Sequence, residues 1–155
     1  AQWLAHCLKM DEQEAWLTGM MQRLGEISIA QHNPRILEGI EKKPCPPGAR
    51  WQRERQLVGF DEGQITAEIA RRWDFPEPVV QALCACSAPM DAPEFSRLGA
   101  IVHLAALLAD TQEVNAGTLA QLPAAVVQAL NLNLEALAAS IPDADAISDT
   151  SSLAG

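Results

Sequence analysis

The sequence predicts an all-α protein, a compact multi-helix bundle, and three observations carry that prediction. Apolar residues recur at three- and four-residue spacing through most of the chain, and no segment alternates strictly between hairpin signals. Ala and Leu are abundant, whereas aromatic residues make up only 5% and Tyr is absent, a balance that favours helix over strand. Pro, Gly, Asn and Asp fall about a helix length apart, where they read as caps and breaks. The 155 residues are the length of one domain, enough to bury a core without disulfides. The expected division is a single helical domain over residues 1–147 and a flexible tail of small, polar residues over 148–155.

Residues 2–9 read as the end of a helix, with Trp3, Leu4, Cys7 and Leu8 apolar and no start signal before them. That abrupt beginning implies the later part of a longer polypeptide. Asp11 with Glu14 matches a capping box. The helix it opens runs to about residue 31 and should bury Trp16, Leu17, Met20, Met21, Leu24 and Ile27. Within it, Gly19 suggests a close helix approach and Gly25 a bend or an end. Asn33-Pro34 restarts a helix carrying Ile36, Leu37 and Ile40. Three prolines and a glycine within residues 44–48 then make a surface loop.

The next helix, from about residue 49 to 58, is stopped by Gly59, and Asp61 caps its successor. That successor should turn Ile65, Ile69 and Trp73 inward. Asp74-Phe75-Pro76 separates it from a helix whose Val79, Val80, Leu83 and Cys84 face the core. After a loop at 87–94, residues 97–110 are apolar nearly all round, as befits the middle of a bundle. Residues 115–118 read as a turn, and two short helices follow, one opened by Pro123 and one over residues 132–141. Eight or nine helices result.

The formal charge of −9 repels phosphate backbones at long range, so no nucleic-acid partner is expected. The basic run Arg50, Arg53, Arg55, Arg71 and Arg72 is interleaved with Glu54, Glu62 and Glu68, and reads as a solvated, mutually paired face. No apolar run is long enough to span a bilayer. The cysteines Cys7, Cys45, Cys84 and Cys86 lack C-x-x-C spacing and read as free thiols in a reducing cytosol. Of three histidines, His103 sits on the apolar central helix and reads as a core residue with one hydrogen bond, while His6 and His32 should be exposed. Trp51 and Trp73 read as packing anchors. No nucleophile with its base, no Gly-rich phosphate loop and no metal-ligand cluster stands out.

Four segments, in order, resemble the HDOD family, the HD-related output domain of bacterial signalling proteins. AWLTGMMQRLGEISI (15–29) is similar to the family's "a-f-l-a-G-L-L-H-D-I-G" segment, and RWQRERQLVGFDEGQI (50–65) to its "W-x-x-E … G-x-D-H-x-x-x-G" segment. ARRWDFPEPVVQAL (70–83) resembles "L-x-x-x-W-x-L-P-x-x-i-x-x-A-I", and RLGAIVHLAALLAD (97–110) the apolar central helix. The resemblance covers about the first two-thirds of the chain and leaves the family's N-terminal helical portion without a counterpart.

The resemblance implies a fold like that of HD-domain phosphohydrolases, whose His and Asp residues hold metal ions that activate water. At the corresponding positions this chain has Gln22-Arg23 for the His-Asp pair, Glu62 after Asp61, Cys86-Ser87 for a His-His pair, and Ala106 for an aspartate. Gln22 is a poor ligand, and Arg23 puts a fixed positive charge where a cation would sit. Arg23 could instead neutralise Asp61 or Glu62. The expectation is a vestigial pocket of Gln22, Arg23, Asp61, Glu62, Cys86, Ser87 and Ala106, with no metal, no cofactor and no catalysis. The implied role is a cytoplasmic signal-transduction or output module acting on other signalling proteins or on domains of its own chain. A metal-dependent phosphohydrolase of nucleotides or cyclic dinucleotides is the first alternative, and a nucleotide sensor in which Arg23 contacts phosphate is the second.

Overall fold

The computed structural model describes residues 1–41 and 46–142. Pro44 and Cys45 of the Pro-rich stretch lie outside the described residues, as do residues 143–147 of the expected domain and the whole expected tail at 148–155. The described residues form eleven helices and no strand.

The first helix, α1 (Gln2–Cys7), ends in a left-handed residue, Lys9 (φ 53°), and the Met10 N–H closes on the Ala5 carbonyl. Asp11 caps α2 (Glu12–Met21) by accepting from the N–H groups of Gln13 and Glu14. The sequence pattern suggested one helix from residue 14 to 31, but the chain breaks at Gln22–Arg23 and restarts as α3 (Leu24–His32). A single straight helix would have put Leu17, Met20 and Ile27 in the core. With the break, these side chains are exposed, and Ala15, Thr18, Met21 and Ile29 are buried instead.

Asn33 and Pro34 start α4 (Pro34–Glu41) as expected, and Ile40 is its buried anchor. The next helix, α5 (Ala49–Val58), ends at Gly59, whose φ of 86° is the left-handed geometry that favours glycine. Asp61 and Gln64 form a full capping box at the start of α6 (Glu62–Arg72). The buried face of α6 is Glu62, Gly63, Thr66, Ala67 and Ala70, one step round from the face the apolar residues suggested. Trp73 is therefore 62% exposed and caps the helix, so it is no packing anchor.

Asp74 (φ 56°) and Pro76 turn the chain into α7 (Glu77–Ala85). Here Val79, Val80 and Leu83 are buried as expected, but Cys84 is exposed and Cys86 takes the core position. Ser96 caps α8 (Arg97–Ala109), the central helix, which packs against α7, α2 and α1. The expected turn at 115–118 is a short capped helix, α9 (Ala116–Leu119); α10 (Ala124–Ala129) and α11 (Leu134–Ala139) are the last helices among the described residues. Trp3 is half-buried, its indole N–H 3.4 Å from Ser140 Oγ, so the two ends of the described chain meet.

Three glycines let the central layer close up. A Cβ on Gly25 would overlap the Glu62 carbonyl, one on Gly63 would come within 2.6 Å of Cys86 Sγ, and one on Gly99 within 2.9 Å of the Ala82 carbonyl oxygen. These contacts join α3 to α6, α6 to α7, and α7 to α8. Gly25 is thus a contact residue inside α3; the bend lies two residues earlier.

Candidate functional site

The break between α2 and α3 leaves backbone groups that need partners, and α6 supplies them through one side chain. The Thr66 hydroxyl stands 3.0 Å from the Gln22 carbonyl and 2.8 Å from the Glu62 carbonyl, and accepts from the Gly25 N–H at 2.8 Å. This fixes the first turn of α6 against the break. The Gly59–Asp61 corner then brings α5 alongside, so that residues 22–26, 50–54 and 61–62 share one buried pocket.

At its centre is Glu62, 2% exposed. Its Oε1 accepts from Trp51 Nε1 at 3.1 Å and from Gln22 Nε2 at 3.4 Å, while its backbone N–H donates to Glu54 Oε2 at 2.7 Å. Arg50 lies across the pocket, its Nε 2.8 Å from Glu54 Oε1 and its Nη2 3.0 Å from Glu26 Oε2. Glu62 Oε2 reaches only to 3.7 Å from Arg50 Nε and 3.8 Å from Arg23 Nε, so it makes ion pairs but no hydrogen bond. Arg23 spends its own shorter contact, 3.0 Å, on Glu26.

Among these five charged side chains, two guanidiniums face three carboxylates, so a proton on one carboxylate balances the set. Burial, followed by the Glu54 charge, raises the Glu62 pKa to about 7 against the pull of Arg50, Arg23 and the Trp51 N–H. Glu54, with no exposed surface, is also raised by burial, and its bonds from Arg50 and the Glu62 N–H oppose that. Burial works against the Arg50 charge, but Glu54, Glu62 and Glu26 outweigh it and hold its pKa above the ordinary value.

A second group adjoins the first. Asp61 Oδ2 accepts from Arg55 Nη1 and from Ser87 Oγ, both at 2.7 Å. Cys86 is fully buried, and burial, with Asp61 and Glu62 nearby, pushes its thiol pKa up, so it is an inert core residue. Its carbonyl accepts from His103 Nδ1 at 2.7 Å, and the His103 ring stacks on Trp51 with centroids 5.1 Å apart. Burial lowers the His103 pKa, which keeps the ring neutral, in line with its reading as a core histidine with one hydrogen bond. A groove of about 560 Å³ runs past Arg55, Asp61, Ser87 and the exposed Cys84 toward Asp91 and Glu94.

The structure therefore brings together six of the seven positions singled out in the sequence: Gln22, Arg23, Asp61, Glu62, Cys86 and Ser87. Ala106, half-buried on α8, brings only a methyl group and adds no polar function. Sequence reasoning missed Glu26, Arg50, Glu54, Trp51 and Thr66 as members of the pocket. The four-residue spacing of Arg50 and Glu54 was a visible signal, but the basic run was read as solvated. The expected pairing with the interleaved glutamates is found for Arg50 with Glu54 and for Arg71 and Arg72 with Glu68, whereas Arg55 pairs with Asp61. The exposure of the run is not as expected, because the Arg50 side chain is only 15% exposed.

The donor set does not suit a metal ion. Among the described residues no group of three or more His, Cys, Asp or Glu side chains is disposed to hold one. The carboxylates that do converge enclose the Arg50 guanidinium, a fixed cation. No helix among the described residues is long and apolar enough to cross a membrane.

Comparison with known proteins places this pocket in context. The HDOD domain model matches residues 1–89 of the chain. A solved structure named "putative phosphohydrolase", from Shewanella amazonensis SB2B, has the same fold, with a TM-score of 0.69 and 25% sequence identity. The match covers 88% of this chain and 52% of the other, so the chain spans about half the length of that protein. No curated protein matches the sequence.

Proposed function

Because the chain belongs to the HDOD domain family, we propose that it is a non-catalytic, cytoplasmic signal-transduction or output module that binds other signalling proteins or domains of its own polypeptide. The observation that carries this reading is the Arg50-centred cluster. Of the positions where the HD resemblance expects metal ligands, Arg23 and Glu62 are drawn into an ion-pair network with Arg50, Glu54 and Glu26. Two guanidiniums, Arg23 and Arg50, and one carboxylate proton balance Glu26, Glu54 and Glu62 without an external ion. The binding half of the reading draws support from the large apolar side chains left outside, among them Leu17, Met20 and Ile27 on α2 and α3, and Phe60 and Trp73 at the ends of α5 and α6.

The name of the Shewanella protein favours a second reading, a metal-dependent phosphohydrolase. Metal analysis of the purified protein, with turnover assays on bis(p-nitrophenyl) phosphate and cyclic dinucleotides, separates the two. The output-module reading expects no stoichiometric metal and no turnover. Stoichiometric Mn, Fe or Zn that disappears in Glu62→Ala would overturn it. For the binding half, photo-crosslinkers placed at Met20 and Ile27 of the full-length protein should give discrete adducts, and uniformly absent adducts would count against it.

A further inference from the structure

A cavity of about 370 Å³ lies beside the Trp51–His103 stack, between the start of α5, the C-terminal half of α8 and the connection from α9 to α10. Its size is at the small end of the roughly 300–1,000 Å³ typical of ligand pockets. No Asp, Glu, Lys or Arg lines it among the described residues; Leu107, Leu122 and Pro123 make an apolar wall. Thr111 and Thr118 also line it, but their hydroxyls already donate to the carbonyls of Leu108 and Asn115.

His103 is different. It is 8% exposed, and its Nδ1 donates to the Cys86 carbonyl, a group that can only accept. The tautomer is thereby set with the proton on Nδ1, leaving Nε2 with a lone pair and no protein donor among the described residues. The cavity thus combines a flat aromatic border, an apolar wall, an acceptor on His103 and, among the described residues, no charged side chain in its lining.

We propose that this cavity is a binding site for a small, uncharged, planar ring compound that presents an N–H or O–H donor to His103 Nε2. An apolar ring gains from the wall of Leu107, Leu122 and Pro123. A donor pairs with His103 Nε2, which has no protein donor among the described residues. An anion would lose its hydration with no cation among the described lining residues to replace it. The site goes beyond the protein-binding role and does not depend on it.

Indole is a suitable probe, with N-methylindole as the matched ring without a donor and indole-3-acetate as the charged one. Saturation-transfer NMR on the whole chain should show indole bound, with a dissociation constant on the order of millimolar for so small a ligand. N-methylindole should bind about tenfold more weakly, the equivalent of one hydrogen bond, and indole-3-acetate more weakly than indole. Leu107→Trp, which fills the cavity, should abolish transfer to indole. If that variant does not melt cooperatively, Gln121→Trp at the exposed rim takes its place. No transfer to indole from the unmodified protein would overturn the proposal. So would equal binding of indole and N-methylindole, or undiminished indole binding in a folded, filled variant.

Discussion

Burial makes the ionised form of Glu62 costly, and the sign of the resulting pH dependence follows directly. Its pKa is about 7 in the folded protein against an ordinary value of 4.5, so the folded state holds the proton more tightly across that interval. Stability from this group is fully present below pH 4.5 and declines as the pH rises toward 7. Glu62→Gln keeps an oxygen to accept from Trp51 Nε1 but cannot titrate. The stability of the parent protein relative to Glu62→Gln should therefore fall between pH 4.5 and 7, as urea melts across a pH series would read. Glu54 is shifted in the same direction and its charge helps raise Glu62, so the difference between the two proteins reads the coupled pair. Parallel profiles would show that Glu62 is not the titrating group.

Gly25 gives a second residue-scale expectation. Its missing side chain is the space that the Glu62 carbonyl occupies, and backbone cannot rotate away as a long side chain can. Gly25→Ala should lower stability by about 1–3 kcal/mol, the usual range for forced overpacking, and a denaturant midpoint measures it. Trp73→Ala, by contrast, should cost less than about 1 kcal/mol, because an exposed ring leaves no cavity behind.

The elements of this fold are bounded by local chemistry that can be tested one end at a time. Asp61 both caps α6 and pairs with Arg55 and Ser87. Asp61→Asn should retain much of the cap, while Asp61→Ala should lose it and cost about 0.5–2 kcal/mol, with a melting-temperature series as the readout. At the end of α1, Lys9 holds a left-handed conformation that a side chain disfavours. Lys9→Gly should relieve that strain and raise stability by up to about 1 kcal/mol, again by thermal melt. The same position in the turns after α6 and α10 is held by Asp74 and Asn131, residue types that tolerate it better.

Over the whole molecule, stability is carried by the layer α3–α6–α7–α8 rather than by its apolar surface. Ile101, fully buried on α8, should cost about 2–5 kcal/mol as Ile101→Ala. Leu17→Ala, at an exposed position, should stay within about 0.5 kcal/mol of neutral. Calorimetric melts compare the two. If both cost the same, the core is not where the structure puts it.

What the sequence determined by itself was local and periodic. Caps at Asp11 and Asp61, breaks at Asn33-Pro34, Gly59 and Asp74-Phe75-Pro76, and the all-round apolar helix at 97–109 each depend on neighbours a few residues away. They were legible because caps, turns and helix periodicity are short-range physics. The convergence of Gln22, Arg23, Asp61 and Glu62 was legible as well, through likeness to a family whose fold brings those positions together. Tertiary structure alone decided the rest. The α2–α3 break rests on Thr66, forty-odd residues downstream, whose hydroxyl completes the exposed backbone groups. Arg50 left the solvated face for the pocket because Glu26 on α3 and Glu62, across the Gly59–Asp61 corner, face it there. Trp73 lost its place in the core to Ala67 and Ala70, since only small residues permit the close α6–α7 approach that Gly63 begins. A buried charge finds its partners, and a large ring its place, only when distant segments meet; no window of sequence contains both sides of that contact.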